Sequence, residues 1–124
     1  MECGNGSEIG VFDVNFETGE CYWSPELKRM LGVHRDVPEE FHLFLQCIHP
    51  DDRRAFGISA TQVFRADCPM SSSIEFRVVH NNSRVQWLHM ERRAIAREDN
   101  SSDVVRIVGF ALEIAAPAGL SRAA

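Results

Sequence analysis

The sequence lacks any long apolar segment. No run of apolar residues approaches the ~20 that an α-helix needs to cross a bilayer, and the first ten residues, MECGNGSEIG, contain neither a basic nor an apolar stretch. A secretory signal would have both. The sequence therefore predicts neither membrane contact nor secretion, and it favours a cytoplasmic location.

Basic residues are also few, since 13 Lys and Arg stand against 18 Asp and Glu, for a formal net charge of −5. Nucleic-acid binding depends on clustered cations that neutralise phosphates, so nucleic acid is not an expected partner. A short basic run comprises Arg92, Arg93 and Arg97. We interpret it as a solvated strand face, although it could also form a local basic patch.

Motifs of enzymes and metal sites are missing too. The sequence has no G-x-S-x-G segment and no P-loop, the short patterns that mark a nucleophilic serine or a nucleotide site. Its four cysteines, at positions 3, 21, 47 and 68, form no Cys-x-x-Cys pair, and its five histidines show no ligand spacing. Neither catalysis nor zinc coordination is expected, and the cysteines are interpreted as reduced thiols.

The segment His49-Pro50-Asp51-Asp52 has the composition of a helix start. Proline suits the first turn and carboxylates suit the positive end of the helix dipole, so we assign His49 a structural role rather than a metal or haem one. Adjacent helical side chains diverge by about 100°, which argues against paired acid–base catalysis by Asp51 and Asp52. Asp13 is the only apparent carboxylate for a weaker alternative, a steroid isomerase-like enzyme, and its strand is expected to turn it outward.

The N-terminal part of the chain has the pattern of a β-hairpin. Apolar residues alternate in IGVFDVNF, a period of two that is typical of a strand. Phe12 and Val14 fall on one face, with Phe16, while Val11 and Asp13 fall on the other. The predicted elements are a strand over residues 9–16, a turn over residues 17–20 with Gly19 at positive φ, and a strand over residues 21–23.

Three short helices are predicted in the middle of the chain. Ser24 can cap the first helix, Pro25 suits its first turn, and Gly32 ends it. Its inward stripe consists of Leu27, Met30 and Leu31. The second helix is predicted to begin at Pro38 with Phe41, Phe44, Leu45 and Ile48 facing inward, and the third at His49-Pro50 with Phe56, Val63 and Phe64 inward and a break or kink at Gly57.

The C-terminal half is predicted to be a meander of three strands, over residues 73–79, within 84–97 and over 104–114. Asn81 and Asn82 are expected to form the first turn, because Asn tolerates the left-handed region. Strands at both ends with helices between them indicate an α+β fold. The expected organisation is a disordered segment over residues 1–7, one domain over residues 8–115 and a linker over residues 116–124.

Four segments in order resemble the PAS superfamily, specifically the PAS fold common in bacterial sensor kinases and diguanylate cyclases. They are IGVFDVNFETGECYWSPELKRMLG, FLQCIHPDDRRAF, IEFRVVHNNSRVQWLHMERRAI and VVRIVGFALEI. The resemblance implies a PAS-like five-stranded antiparallel sheet with short helices packed on one face. It also implies a sensory, signal-input role without catalysis in this chain, although the full-length protein could be a histidine kinase or a diguanylate cyclase.

A pocket between the sheet and the helices is the expected ligand site, although the same side chains could simply fill the core. Arg77 could bind a ligand carboxylate through a bidentate fork, but a cross-strand ion pair is the ordinary expectation for it. The candidate ligand-binding residues are Phe12, Val14, Trp23, Met30, Leu31, Phe44, Ile48, Phe64, Phe76, Arg77, Leu88 and Met90, with Leu27 and Phe56 as further wall residues.

The cofactor is left unknown, but haem and flavin are both disfavoured. Haem-binding relatives use a histidine on the helix that corresponds here to residues 56–66, and that stretch contains none. Flavin-binding relatives present an Asn-Cys-Arg-Phe-Leu-Gln-like segment, whereas here Phe-Leu-Gln precedes Cys47. We interpret Cys47 as a small buried hydrophobic residue.

A second copy of the chain is the other expected partner. The resemblance implies that the sheet face turned away from the helices packs on another subunit. The candidate residues are Val11, Val85, Trp87 and Ile107 or their alternates. In the alternative function the domain binds no ligand, its core is filled, and it acts only in dimerisation or protein–protein interaction.

Overall fold

Strands from both ends of the chain lie in one sheet in the structure, a computed structural model that describes residues 8–62, 71–98 and 103–117. The elements in chain order are β1 (Gly10–Asn15), β2 (Cys21–Trp23), α1 (Pro25–Leu31), α2 (Phe41–Cys47), α3 (Pro50–Gln62), β3 (Ser71–Val79), β4 (Val85–Ala96) and β5 (Val104–Ile114). The assignments made above for residues 1–7, for Val63, Phe64 and Cys68, and for residues 118–124 lie outside the described residues.

The five strands pair antiparallel in the order β2-β1-β5-β4-β3. β5 is central, so the opening hairpin and the C-terminal meander meet along it. The predicted α+β class and five-stranded antiparallel sheet are confirmed. We call the face that packs against the helices, which carries Phe12 and Met90, the inner face, and the face that carries Asp13 and His89 the outer face.

Hydrogen bonds made by Ser24, which lies between β2 and α1, link β1 to the first helix. The backbone of Ser24 is extended (φ −65°, ψ 158°), and its Oγ accepts hydrogen bonds from the amide of Leu27 at 3.2 Å and from the amide of Val11 at 2.9 Å. α1 ends at Gly32, whose φ of 75° lies in the left-handed region that glycine adopts without strain. The predicted cap and stop of this helix are confirmed.

A buried lysine fastens the connection between α1 and α2. Lys28 lies in α1 with only 8% of its surface exposed. Its ammonium group donates hydrogen bonds to the carbonyls of Arg35 at 2.8 Å and Val37 at 3.1 Å, and it lies 3.5 Å from the carboxylate of Glu39. A buried ammonium group needs such partners, so this one side chain fixes the loop that leads to α2.

The second helix begins later than predicted, at Phe41, because Glu40 before it keeps an extended backbone (φ −144°, ψ 139°). Ile48 does not belong to this helix either. Its backbone is extended and forms an antiparallel bridge with Val78, which covers part of the free edge of β3. The break predicted at Gly57 is absent, since α3 runs through it at the modest cost of about 1 kcal/mol that a helical glycine carries.

The turn between β3 and β4 also differs from the prediction. Its positive φ lies at Ser83 (68°) rather than at either asparagine. Asn82 contributes through its side chain instead, because its Oδ1 accepts a hydrogen bond from the amide of Arg84 at 3.0 Å. Asparagine side chains stabilise turns in this way by replacing a backbone carbonyl.

An aromatic cluster forms the centre of the core. The ring of Phe44 lies 6.1 Å from that of Trp23, 5.2 Å from that of Phe56 and 6.0 Å from that of Phe76, measured between centroids. Phe56 and Phe76 meet edge to face at 5.0 Å. Tilted pairs at these distances are the favoured aromatic geometry, so the cluster gives one side of the core a fixed shape.

Among the described residues, no helix is long and apolar enough to cross a membrane.

Candidate functional site

A cavity of about 420 Å³ lies between the inner face of the sheet and the helices. This volume falls within the ~300–1,000 Å³ range of small-molecule sites. Two aromatic residues on its wall, Phe16 and Phe41, are 49% and 53% exposed, so the cavity reaches the surface beside them. The lining residues are Phe12, Val14, Phe16, Cys21, Trp23, Leu27, Phe41, Phe44, Phe56, Gly57, Ala60, Met90, Arg92 and Ile107.

The candidate residues divide between the cavity wall and the solid core. Phe12, Val14, Trp23, Phe44 and Met90 line the cavity, as do Leu27 and Phe56. Buried positions that are not among its lining residues are Met30, Leu31, Ile48, Phe76 and Leu88. Phe64 lies outside the described residues. The alternation of a strand tells which face a side chain occupies, but a wall residue and a core residue on that face have the same pattern.

Arg77 lies apart from the cavity, on the edge strand β3. Its guanidinium forms a bidentate ion pair with Asp52, with Nε donating to Oδ2 at 3.0 Å and Nη2 to Oδ1 at 2.8 Å. The same guanidinium lies over the ring of Trp87, 5.2 Å from its centroid. The bidentate fork that Arg77 could have offered to a ligand carboxylate is thus used to bind Asp52. Asp52, at the start of α3, therefore does more than complement the helix dipole.

Arg92 is the charged residue on the cavity wall. The prediction that it belongs to a solvated strand face is wrong. It is only 6% exposed, whereas its neighbour Arg93 is exposed on the other face. Its Nη2 donates to the hydroxyl of Ser59 in α3 and to that of Ser72 in β3, the latter at 3.2 Å. The spacing of two from Met90 and from Ala94, both buried, was the signal that could have placed this arginine inward.

The thiol on the cavity wall is electrically neutral. Burial raises the pKa of Cys21, and the negative charge of Glu39 raises it further. Burial likewise raises the pKa of Cys47, which lies in the core as expected. A protonated thiol is a weak nucleophile, so Cys21 contributes a small, polarisable surface to the wall rather than a reactive group.

The outer face carries charged pairs and apolar residues. Arg106 donates from Nε to the Oδ1 of Asp13 at 2.8 Å, and this hydrogen bond lowers the pKa of Asp13. The carboxylate considered for an isomerase is therefore turned outward, as expected, and away from the cavity. Val11 and Trp87 lie on the outer face as predicted. Ile107 was predicted for the same face, but it pairs with Val14 on the inner face and lines the cavity. Since a shift of one residue along a strand reverses the face, the prediction for Ile107 was wrong by one position.

His49 has the structural role assigned to it. Its Nδ1 accepts a hydrogen bond from the amide of Asp51 at 3.1 Å, which satisfies one of the free amides at the start of α3. Its own amide donates to the carbonyl of Arg77 at 2.8 Å. The residue therefore helps to hold the beginning of α3 against β3.

Comparisons with known proteins agree with this architecture. The family model described as PAS fold matches residues 20–111. The sensor protein FixL of Bradyrhizobium diazoefficiens is 27% identical over 109 residues, a match that covers 88% of this chain. The chain spans only 21% of the length of that relative.

Two solved structures are similar in fold. A sensory box histidine kinase/response regulator from Burkholderia thailandensis superposes with a TM-score of 0.65 at 26% identity, covering 86% of this chain and 76% of that one. The N-terminal domain of a diguanylate cyclase with a PAS/PAC sensor from Marinobacter aquaeolei gives a TM-score of 0.72 at 16% identity, covering 86% and 94%.

Proposed function

The chain belongs to the PAS fold family, and from that premise we propose that it is a signal-input module that binds a small molecule in the cavity and relays its presence to an output domain. The cavity carries the proposal. Protein interiors leave few voids larger than a water molecule, whereas about 420 Å³ of space with a largely apolar wall remains open here. The relatives include a sensor protein, a histidine kinase and a diguanylate cyclase, so an output domain of such a kind is part of the proposal.

A route from the cavity to the C-terminal residues supports the relay. Ile107 lines the cavity and belongs to β5, the strand that ends at Ile114 and leads into residues 115–117. Phe12, also on the wall, is paired with Gly109 of the same strand. A ligand shifts a conformational equilibrium only through different affinities for the two states, and contacts with these residues would couple occupancy to the position of β5.

Gly57 offers a way to test whether the cavity binds a ligand. It lines the cavity, and a Cβ added there meets no atom within 4 Å. The wild-type protein, Gly57→Ala and Gly57→Leu are purified, examined by native mass spectrometry for bound species and screened by thermal shift against small molecules. A ligand at 100 times its Kd adds about 2.7 kcal/mol of stability, a rise on the order of 10 °C for a domain of this size.

The wild-type protein and Gly57→Ala are expected to respond to the same compounds, while Gly57→Leu fills the space and loses the response with its fold intact. Hydrogen exchange in residues 104–117 should then change on addition of an active compound to the wild-type protein. If no species is bound and no compound raises the melting temperature of the wild-type protein, the ligand-sensing function is wrong.

A second candidate function, homodimerisation, is favoured by the apolar residues of the outer face. Of the residues that the structure describes, four large apolar side chains on that face are exposed: Val11, Tyr22, Val85 and Ile95. Between them the outer side of β5 carries Val108, Phe110, Leu112 and Ile114. A contiguous apolar surface on a soluble domain often marks an interaction site, and a second copy offers a surface of matching character.

Sedimentation velocity over a range of concentrations tests this second function. The wild-type protein is expected to dimerise, and Val11→Asp to shift the equilibrium toward monomer because it buries a charge at the interface. Ala55→Asp, at an exposed position of α3, is the control and should dimerise as the wild type does. A wild-type protein that stays monomeric at every concentration would exclude the homodimer.

A further inference from the structure

Aromatic side chains line the cavity from both of its sides. Phe12 of β1 and Trp23 of β2 line it from the sheet, and Phe44 of α2 and Phe56 of α3 line it from the helices. Aromatic rings attract a further ring in offset or edge-to-face arrangements, beyond the effect of the area that is buried. A space bounded by rings from both layers therefore favours an aromatic ligand over a saturated one of the same skeleton.

Contacts among these rings hold them in defined positions. The ring of Phe44 lies 6.1 Å from that of Trp23 and 5.2 Å from that of Phe56, and in both pairs the ring planes are tilted by 59°. Phe56 also packs edge to face on Phe76 of the solid core. The ordering of side chains is one of the costs of binding, and rings that are already fixed in this way reduce it.

Two further phenylalanines lie where the cavity reaches the surface. Phe16, which follows β1, and Phe41, the first residue of α2, both line the cavity and are 49% and 53% exposed. Removing apolar surface from water is favourable in rough proportion to the area removed. A ligand with an apolar body that extends to the mouth of the cavity would therefore be stabilised by covering these two rings.

The charges on the wall do not favour an ionised ligand. Among the described residues that line the cavity, none is acidic and Arg92 is the only basic one. Its Nη2 donates to the hydroxyls of Ser59 and Ser72, and its guanidinium carbon lies 5.9 Å from the centroid of the Phe56 ring, so this cation belongs to the packing between α3, β3 and β4. The thiol of Cys21 is neutral, because burial raises its pKa. Moving a charge from water into apolar surroundings is costly, so the wall selects against ions.

These features of the wall name a class of ligand. Resting on the proposed ligand-sensing function, we infer that the cavity binds uncharged, planar aromatic compounds, whose rings pack between those of Phe12, Trp23 and Phe44. The volume of about 420 Å³ lies within the ~300–1,000 Å³ range of small-molecule sites, so a fused ring system fits. The signal that the domain receives is then the concentration of such a compound rather than that of an ionised metabolite.

Four probes with one skeleton test the two parts of this inference, charge and aromaticity. 2-Naphthol is aromatic and uncharged at pH 7, because its phenolic group resembles that of tyrosine, whose pKa is about 10. Decahydro-2-naphthol is its saturated counterpart, 2-naphthoate carries a negative charge, and 2-naphthylmethylammonium carries a positive one. Each probe is titrated into the wild-type protein at pH 7, and the methyl resonances of Met90 and Ile107, both on the wall, report binding inside the cavity by NMR.

2-Naphthol should shift both methyl resonances. We expect it to bind roughly tenfold or more tightly than either ion, because the ions lose their hydration, and roughly threefold or more tightly than the saturated alcohol. Gly57→Leu, which places a side chain in the cavity, should bind 2-naphthol roughly tenfold or more weakly than the wild type. Ala55→Leu, which adds the same side chain at an exposed position of α3, should bind it as the wild type does, and circular dichroism establishes that both variants are folded.

Several outcomes would overturn the inference and leave a ligand-binding cavity in place. They are binding of either ion as tightly as 2-naphthol and equal binding of the saturated alcohol, and both comparisons need only the wild-type protein. Undiminished binding of 2-naphthol by folded Gly57→Leu would place the probe outside the cavity and would also overturn it. If none of the four probes binds, the inference is wrong, whereas the ligand-sensing function is rejected only if the broader thermal-shift screen finds no compound either.

Discussion

The carboxylate of Asp52, in the first turn of α3, accepts three hydrogen bonds from Arg77 of β3. The amide of Arg77 donates to Oδ2 at 2.8 Å, its Nε to the same oxygen at 3.0 Å and its Nη2 to Oδ1 at 2.8 Å. A single residue of the edge strand is thus bound through its backbone and its side chain at once. This pair, together with the bridge between Ile48 and Val78, sets how the start of α3 lies against the sheet.

Removing the charge of Asp52 should destabilise the fold. Asp52→Asn keeps the shape but weakens hydrogen bonds to a charged partner, and we expect a loss of about 1–3 kcal/mol in the free energy of unfolding, measured by urea denaturation at pH 7. Asp51→Asn, at the exposed neighbouring position, should lose no more than about 1 kcal/mol as a dipole contact. Equal losses in the two variants would mean that the pair with Arg77 adds nothing beyond the dipole.

The same pair predicts a pH dependence. Partial burial raises the pKa of Asp52, but the hydrogen bonds and the charge of Arg77 outweigh it and lower the pKa below the ordinary value. A lowered carboxyl pKa gives stability that is present above the unfolded value of about 3.9 and is lost as the pH falls through the folded value. Denaturation curves recorded between pH 7 and pH 2.5 should therefore show a steeper fall in the free energy of unfolding for the wild-type protein than for Asp52→Asn.

Ser24→Ala should cost more than the loss of an ordinary helix cap. The hydroxyl caps α1 at Leu27 and also accepts from Val11, so its removal leaves two amides without this partner, each at a cost of about 1–3 kcal/mol if buried. A simple cap is worth about 1 kcal/mol. The amide of Val11 should exchange with deuterium faster in the variant, while Ser73→Ala, at an exposed position of β3, changes neither stability nor that exchange. Unchanged exchange at Val11 would reduce Ser24 to a cap alone.

Local signals explain which parts of the fold were predictable. β2 and β5 have the predicted bounds, because the turn at Gly19 before β2 and the mostly apolar run over residues 104–114 are local features of the sequence. α1 follows from Ser24, Pro25 and Gly32 for the same reason. The start of α2 was not predictable in this way, since Glu40 before it makes no side-chain cap, and Pro38 gave a misleading signal.

The sequence predicted which face of the sheet carries the site, but not which residues on that face line the cavity and which lie in the solid core. Phe12 and Phe76 are both aromatic residues on the inner face, yet one lines the cavity and the other lies in the solid core. That difference depends on how α2 and α3 lie over the sheet, which no pattern of adjacent residues records. Arg92 was missed because its charge suggested solvent, whereas its parity with Met90 pointed inward.

Gly109 is expected to tolerate no side chain. A Cβ there would clash with the carbonyl oxygen of Glu91 and would lie 2.6 Å from the ring of Phe12, so β5 or the cavity wall would have to move. Overpacking of this kind costs about 1–3 kcal/mol, and we expect such a loss for Gly109→Ala in thermal denaturation, together with weaker binding of any cavity ligand. Gly57→Ala is the matched control, because its Cβ meets open space and should instead add about 0.5–1 kcal/mol. A Gly109→Ala protein as stable as the wild type would show that the strand can shift freely.

His89 should act as a proton-dependent link between strands on the outer face. Its Nδ1 lies 3.0 Å from a carboxylate oxygen of Glu75 in β3, and its Nε2 lies 3.0 Å from one of Glu91. The hydrogen bond to Glu91 raises the pKa of His89, partial burial opposes this, and Glu75 raises it again, so that the pKa lies above the ordinary 6.5. A raised histidine pKa gives stability that is full below the unfolded value and is lost as the pH rises through the folded value.

The wild-type protein should accordingly lose stability as the pH rises from about 6.5 through the raised pKa of the folded state, and His89→Gln should lose less over that interval. NMR titration of the imidazole gives the pKa directly, and Glu91→Gln should lower it, since the bond to Glu91 is the largest of the raising contributions. Glu98→Gln is the control, because Glu98 follows His89 by nine residues, ~30 Å along an extended chain and beyond the screening length of ~8–10 Å. A titration midpoint at or below 6.5, or one that Glu98→Gln moves as far as Glu91→Gln does, would show that the two carboxylates do not hold the proton.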